Sequence, residues 1–142
     1  MRTYLTRYEL DAPRKGRIHS RVECHASDWL VNADLYPDLG ALPQDCDPDA
    51  DYVDLEGIPV VQPRPALAGF DKLEIVADGE DAATLAAPVP FVATIDGEPY
   101  DVAEPNSAGV YTLAVAVDVA ATYSVRVEAW PFLPYEAEIT AT

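Results

Sequence analysis

The sequence predicts an all-β protein in which a small N-terminal β-hairpin or meander module precedes an antiparallel β-sandwich. Residues 109–117 and 121–130 carry most of this prediction. Both runs alternate large apolar side chains with small or polar ones at a period of two, which is typical of antiparallel strands with one wet face. Thirteen prolines against seven glycines also favour short strands and stiff connections over long helices.

Residues 1–56 are predicted to form the N-terminal module. Its strands are expected at residues 3–10, 17–24 and 52–54. The first two would form a hairpin, because Lys15 and Gly16 between them have the composition of a turn. A loop rich in Pro and Asp, from Tyr36 to Ala50, is expected to separate this hairpin from the third strand.

Residues 57–65 are predicted to be a stiff linker, because three prolines fall within the seven residues 59–65 and favour an extended path. The sandwich would then occupy residues 66–142. Its strands are expected at residues 72–77, 82–86, 91–95, 100–102, 110–117, 122–129 and 135–140. Seven short strands at this spacing suit a Greek-key sandwich of the immunoglobulin-like (Ig-like) kind.

Turn chemistry and alternation define the expected interior of the sandwich. Asp78-Gly79 and Asp96-Gly97 supply tight turns, for which Asp-Gly is a favoured pair. The alternation assigns one residue in two to the inner faces. The expected inner-face residues are Leu73, Ile75, Leu113, Val115, Val125 and Val127.

The charge of the chain is −16 and unevenly distributed. Residues 1–21 contain six basic residues against Glu9 and Asp11, a net +4, which leaves −20 for the rest. An acidic surface of this size repels nucleic acid and anionic membranes, so we expect neither as a partner. The basic start is expected to dock on an acidic neighbour, including another copy of the chain. The alternative is that these residues balance nearby carboxylates on a solvated hairpin.

Two groups of side chains are predicted to contact partners. Five of the six basic residues near the N-terminus are arginines, which favour interfaces more than lysines do. The aromatic and proline-rich residues 130–135 either plug one end of the core or provide a platform for a protein or a sugar. The predicted contact residues are Arg7, Arg17, Arg21, Trp29, Trp130 and Tyr135.

The stretch from residue 45 to residue 56 has the oxygen-ligand spacing of an EF-hand calcium loop. The candidate ligands are Asp45, Asp47, Asp49, Asp51 and Glu56. However, Ala50 stands where that loop needs a glycine, Pro48 stiffens it, and neither flank has the pattern of an amphipathic helix. We therefore expect a solvated acidic turn and no metal, with a weak calcium loop as the alternative.

The sequence offers little for catalysis. Its soft metal ligands His19, Cys24, His25 and Cys46 lack zinc-site spacing. No nucleophile motif, phosphate-binding loop or dinucleotide fingerprint occurs. We expect neither an enzyme nor a cofactor, although a catalytic pair among the twenty-five carboxylates is the alternative.

The sequence also predicts where the protein is made. No apolar run is long enough to span a bilayer, and the N-terminus lacks the apolar core of a signal peptide. Synthesis and retention in the cytoplasm would leave Cys24 and Cys46 as free thiols, and a disulfide between them is the alternative.

Several segments resemble small proteins of tailed bacteriophages. Those proteins have an N-terminal module with a Tyr-Val-Asp … Arg-Pro pattern, which is similar to residues 51–54 and 62–65. The module precedes an Ig-like domain with an Ala-Asp-Gly-x-Asp-x-Ala-Thr-Leu entry, which is similar to residues 72–85. The segment from Tyr123 to Glu136 is similar too, so the resemblance covers residues 51–142. It implies a tail- or tail-fibre-associated protein and supplies no catalytic residue.

The expected function is therefore that of a structural or interaction protein of a bacteriophage tail, associated with the baseplate or a tail fibre. It would be made in the host cytoplasm and would dock through its N-terminal module on other tail proteins. One version of this expectation is a homo-oligomer within the tail assembly. The alternatives are a tail-fibre assembly chaperone, a capsid-decoration protein, and a carbohydrate- or calcium-binding module.

Overall fold

The computed structural model describes residues 1–11 and 13–142, and it confirms the predicted all-β fold. The chain divides into two compact units, Met1–Arg64 and Pro65–Thr142. The strands are β1 (Arg2–Glu9), β2 (Ile18–His25), β3 (Leu39–Leu42), β4 (Asp51–Asp54), β5 (Val60–Pro63), β6 (Glu74–Ile75), β7 (Ala83–Ala87), β8 (Phe91–Ile95), β9 (Glu98–Val102), β10 (Tyr111–Val115), β11 (Ala121–Glu128) and β12 (Tyr135–Ala141). The helical elements are a 3-10 turn (Ala26–Asp28) and the helix α1 (Trp29–Ala33).

The first unit contains a three-stranded antiparallel sheet in the order β2-β1-β3 and the separate hairpin β4-β5. The predicted hairpin is present as β1 and β2, with a register shift between Arg7 and Tyr8. Tyr8 forms a small core with Ile18 and Val53. The ring of Tyr8 lies over Gly40 of β3, where any Cβ would overlap it, so this strand position requires glycine.

The face of β1 opposite to the side chain of Tyr8 lies towards α1. Side chains alternate along a strand, so Leu5 and Arg7 share the face that Tyr4, Thr6 and Tyr8 do not. The side chain of Arg7 contacts the α1 segment, whereas the Thr6 hydroxyl donates a hydrogen bond of 2.6 Å to the carbonyl of Gln44. The sheet therefore has helix on one face and loop on the other.

The structure differs from the predicted linker at residues 57–65. Val60–Pro63 form β5, which pairs with β4, so the first unit continues to Arg64. Two β-branched valines favour a strand, and Pro63 lies at its end, where the missing N–H is tolerated. Gly57, with φ of +101°, permits the turn between the two strands. The strand β3 was likewise expected to be loop.

The second unit is a seven-stranded sandwich. A five-stranded sheet in the order β6-β12-β11-β8-β9 faces a two-stranded sheet of β7 and β10. All pairings are antiparallel except that of β6 with β12. The chain crosses between the sheets before and after β7 and before and after β10, whereas β8–β9 and β11–β12 are hairpins within the five-stranded sheet, as in Ig-like sandwiches. The Tyr123 hydroxyl donates to the carbonyl of Val119 at 2.9 Å, a tyrosine corner at the start of β11 that is a hallmark of such sandwiches.

The buried core of the sandwich confirms most of the expected inner faces. Ile75, Val115, Val125 and Val127 are buried, and Leu113 packs against them. The prediction for Leu73 is wrong, because its residue surface is 44% exposed. The carbonyl of Leu73 accepts the N–H of Thr140 at 2.9 Å, so Leu73 lies at the first hydrogen bond of the edge strand β6, where the sheet ends and the side chain is only partly covered.

The two predicted Asp-Gly turns are present. Asp96 and Gly97 both have positive φ, 47° and 88°, and join the hairpin of β8 and β9, as a type I′ turn requires. The carboxylate of Asp78 accepts the main-chain N–H groups of Glu80 and Asp81 at 2.8 Å each, which fixes the turn before β7.

Candidate interaction surface

An exposed apolar segment around α1 is the most unusual surface of the first unit. Its residues, which we call the α1 patch, are Leu30, Val31, Leu35 and Tyr36. Leu30 and Val31 are each 70% exposed. A surface helix normally turns polar side chains outward, and contiguous exposed apolar residues mark interaction sites more often than isolated ones do. The patch is therefore a candidate docking surface.

Local contacts turn this apolar face outward. The indole N–H of Trp29 donates to the carbonyl of Tyr4 at 3.1 Å, which fastens the start of α1 to β1. Asn32 donates to the carbonyl of Asp28 at 2.8 Å. Because Trp29 and Asn32 are half-buried on the sheet side, the helical rotation leaves Leu30 and Val31 towards solvent. The predicted contact residue Trp29 thus acts as an anchor for the patch.

Arg7 lies directly beneath this segment and is only 8% exposed. Its Nη2 donates to the carbonyl of Asn32 at 3.0 Å, and its guanidinium lies 4.6 Å from the ring centroid of Tyr36. The Nε atom is buried and has no hydrogen-bond partner among the described residues. Arg7 was expected to present its charge to a partner. Its own chain buries that charge instead, because the side chain projects under α1.

Arg17 and Arg21 are occupied within the first unit. Arg17 Nη1 lies 3.9 Å from the carboxylate of Glu9. Arg21 pairs with Asp45, which lowers the pKa of that carboxyl, and its guanidinium covers the ring of Tyr4. These contacts match the alternative in which basic residues balance nearby carboxylates. Exposed pairs of this kind contribute little to stability.

The structure does not gather the predicted contact residues of the first unit into one site. Arg7 and Trp29 lie on the α1 face of the sheet, whereas Arg21 lies on the face of Tyr4. The α1 patch itself was missed because one helical turn is too short to show a period. The available signal was the segment from Trp29 to Tyr36, in which six of eight residues are apolar, bracketed by Ser27-Asp28 and Pro37.

Three of the five candidate calcium ligands, Asp45, Asp47 and Asp51, are engaged with main-chain groups or with Arg21. The carboxylate of Asp47 accepts the N–H of Asp49 at 3.0 Å, and that of Asp51 accepts the N–H of Asp47 at 2.8 Å. Asp51 already begins β4, so Glu56 lies beyond a strand and not at the end of a loop. Within residues 1–11 and 13–142, no three His, Cys, Asp or Glu side chains are placed to hold a metal ion.

Both cysteines are free thiols. The Sγ of Cys46 lies 3.3 Å from the hydroxyl of Thr6. Burial raises the pKa of the Cys46 thiol, and the hydrogen bond with Thr6 opposes this only in part. A thiol with a raised pKa is a poor nucleophile, so this cysteine has a packing role.

The aromatic corner of the second unit turns mainly inward. Phe132 and Tyr135 pack against the sandwich core. The Tyr135 hydroxyl accepts the N–H of Phe70 at 3.4 Å, and the two rings lie 6.0 Å apart. Trp130 is half-buried and precedes a cis proline. The corner thus plugs the core, as one of the two sequence interpretations expects, and the ring and hydroxyl of Tyr135 are used internally.

The outer face of the five-stranded sheet contains an open groove of 460 Å³. Its lining residues are Thr94, Asp96, Gly97, Ser124, Val125, Arg126, Glu136, Ala137 and Glu138. The guanidinium of Arg126 is paired with Glu128 at 3.1 Å and with Glu136. The cation of the groove is therefore neutralised by its own sheet, and the remaining lining is acidic.

Comparisons with known proteins are sparse. No family model matches the chain, and no curated protein matches it. Two solved structures of glycosyl hydrolase family 2 members from Bacteroides cellulosilyticus are similar at 11% and 12% identity, with TM-scores of 0.37 and 0.34. They cover 99% and 97% of this chain but 22% and 23% of their own. The chain thus spans less than a quarter of the proteins it matches. In the described residues, no helix has the length and apolar character to cross a membrane.

Proposed function

We propose that this chain is a non-catalytic structural and interaction protein of a bacteriophage tail, which docks on a tail-fibre or baseplate subunit through its first unit. The observation that carries the docking proposal is the α1 patch. The tail assignment is supported by the sequence resemblance over residues 51–142.

The α1 patch has the composition and order of a binding surface. Tyrosine and large aliphatic side chains dominate the centres of protein interfaces, while charged residues are depleted there. Tyr36 is already ordered by the guanidinium of Arg7, and Trp29 fixes the helix. Side chains that are ordered before binding lose less entropy when a partner arrives, so the same contacts give a higher affinity.

The second unit suits a projecting or spacing role. Residues 65–142 carry thirteen acidic and two basic residues, which disfavours contact with nucleic acid or an anionic membrane. Its aromatic corner is largely used for the core, and the arginine of its groove is paired with carboxylates. These features support the first unit as the docking end.

The test compares two serine variants, one double and one single, at exposed apolar sites of the first unit. Leu30→Ser/Val31→Ser removes the centre of the α1 patch, and Ile58→Ser alters an exposed side chain outside it. Quantitative mass spectrometry of purified tails should show at least about a tenfold loss for the double variant, since losing hot-spot contacts costs a few kcal/mol. The Ile58→Ser control should be incorporated like the unaltered protein.

Both variants should keep the circular dichroism and thermal unfolding of the unaltered protein, because the substituted side chains are exposed. Equal incorporation of the double variant and the control would contradict docking through the patch. Absence of the unaltered protein from finished particles, with presence on fibre intermediates, would replace the virion role with the assembly-chaperone alternative.

A further inference from the structure

We propose that strand β2 pairs with β2 of a second copy of this chain, antiparallel and about a two-fold axis. The two three-stranded sheets would then form one continuous six-stranded sheet. The residues of this surface are not those of the α1 patch, and the inference does not depend on the tail assignment.

The outer edge of β2 is unprotected. It is an eight-residue strand that pairs only with β1, and it contains neither proline nor glycine. In the part of the chain that the structure describes, no main-chain hydrogen bond reaches its outer side between residues 19 and 25. An open edge presents unpaired N–H and C=O groups that favour pairing with another strand.

The two edges of the five-stranded sheet of the sandwich lack this property. β6 is two residues long, and β9 carries Pro99 together with the carboxylates of Glu98 and Asp101. Short length and proline protect an edge against unwanted pairing and are absent from β2, whereas charge does not distinguish the edges because β2 itself carries Arg21 and Glu23. Because the same chain protects one sheet and leaves the other open, the β2 edge is the better candidate for a strand-to-strand interface.

The ladder between β1 and β2 determines which groups face outward. The N–H of Ala26 donates to the carbonyl of Met1 at 2.9 Å, so these two residues form a hydrogen-bonded pair at the end of the ladder. Hydrogen-bonded and non-hydrogen-bonded pairs alternate along antiparallel strands. Val22 therefore directs its main chain towards β1, whereas Arg21 and Glu23 direct theirs to the open edge.

This alternation and the charges favour one register for the second copy. Placing Val22 opposite Val22 of the second copy brings Arg21 opposite the second copy's Glu23, and the reverse. These outward-facing residues would then form the hydrogen-bonded pairs. A relative shift of the two strands by two residues, the smallest that keeps outward-facing main-chain groups opposite each other, places Arg21 opposite itself or Glu23 opposite itself, and like charges directly opposite are destabilising.

The side chains are compatible with this pairing. Val22 is 40% exposed although it is apolar, and it lies opposite Leu5 on the α1 face of the sheet. At the two-fold axis it would meet Val22 of the second copy in a non-hydrogen-bonded pair, where side chains approach most closely. The side chains of Arg21 and Glu23 lie on the other face and are partly exposed, although Arg21 pairs with Asp45 and Glu23 lies 3.9 Å from Arg2 within the same chain. These surface pairs are weak, so both side chains can also approach a second copy.

The test measures the mass of the full chain by sedimentation velocity between about 10 µM and about 1 mM, since a short interface gives modest affinity. The unaltered protein should shift from monomer to dimer over this range. Glu23→Lys places two cations opposite each other and should weaken the dimer at least about tenfold. Glu56→Lys makes the same change of charge on an exposed turn of the first unit and should dimerise normally.

A second measurement keeps the proposal testable if Glu23→Lys disturbs the fold. In the unaltered protein, the amide protons of Arg21 and Glu23 should exchange more slowly at high concentration than at low concentration, because they would be bonded only in the dimer. A monomer at every concentration would overturn the proposal, as would equal dimerisation of the two lysine variants. Tail incorporation and solution mass are separate readouts, so either proposal can fail alone.

Discussion

The two units of the molecule differ in the kinds of side chain that they bury. The sandwich encloses a cluster of twelve buried residues that are all apolar. The first unit has a small buried cluster of Tyr8, Ile18 and Val53, and it also buries the polar side chains of Thr6 and Arg7. At the same time it leaves the apolar residues of the α1 patch in solvent. The sandwich also exposes some large apolar side chains, such as Val76 and Val119, but its buried cluster is larger, and the first unit exposes the α1 patch.

The difference indicates how stability and recognition are divided along the chain. The removal of apolar surface from water is the main favourable term in folding. Most of the buried apolar residues lie in the sandwich. The first unit exposes both an apolar segment and a strand edge, which are the features that lower free energy when a partner covers them. We therefore expect core substitutions to act mainly on the sandwich and interface substitutions mainly on the first unit.

The largest expected effect is that of truncating the sandwich core. Leu85 is 0% exposed, so Leu85→Ala should lower the free energy of unfolding by about 2–5 kcal/mol through lost burial and a residual cavity. Leu73→Ala removes the same atoms from an exposed site of the same unit and should cost under about 1 kcal/mol. Urea denaturation followed by tryptophan fluorescence and circular dichroism measures both. Similar costs would show that Leu73 belongs to the core after all.

A smaller effect is expected in the first unit from filling the space above Gly40. Gly40→Ala would force the buried ring of Tyr8 aside, which should cost about 1–3 kcal/mol. Amide exchange should then accelerate in residues 1–64 and stay unchanged in the sandwich.

A double-mutant cycle with Tyr8→Ala checks the cause of the Gly40→Ala effect. Once the ring is absent, Gly40→Ala should cost little, so the two free-energy changes should not add. Additive costs would mean that the clash with Tyr8 is not the reason.

The sandwich could be predicted from sequence because its signals are local. Alternation at a period of two and the Asp96-Gly97 pair define neighbouring strands without knowledge of distant contacts. Local alternation predicted the burial of Leu73 wrongly, because the exposure of this residue depends on where β6 joins β12, which is a long-range pairing. Strand β5 was not predicted, because the three prolines of residues 59–65 indicated a linker more strongly than two valines indicated a strand. The strand with which these valines pair lies several residues earlier.

The candidate site was less predictable, for two physical reasons. The arginines of the basic segment were identified, but a sequence does not show which face of β1 is covered, and Arg7 projects under α1. The α1 patch depends on a single helical turn whose outward face is set by the hydrogen bond from Trp29 to Tyr4. Neither feature follows from composition or periodicity alone.

The smallest expected effect concerns acid, and it compares one carboxylate from each unit. Lys72 lowers the pKa of Asp81 below its usual value of 3.8, and Arg21 does the same for Asp45. A carboxyl whose pKa is lower in the folded state contributes stability above about pH 4, and this contribution is lost as the pH falls through the folded value. Asp81→Asn and Asp45→Asn should therefore be slightly destabilising at neutral pH and should match the unaltered protein in acid.

Urea midpoints measured at about pH 7 and about pH 3 check the sign of the stability difference between each variant and the unaltered protein. Amide exchange locates it, and we expect Asp81→Asn to act on residues 65–142 and Asp45→Asn on residues 1–64. Both carboxylates are at the surface, where solvent screens their ion pairs, so each change should be well below that of Leu85→Ala. A deficit that persists unchanged in acid would mean that the lost interaction is a packing contact and not the charge of the carboxylate.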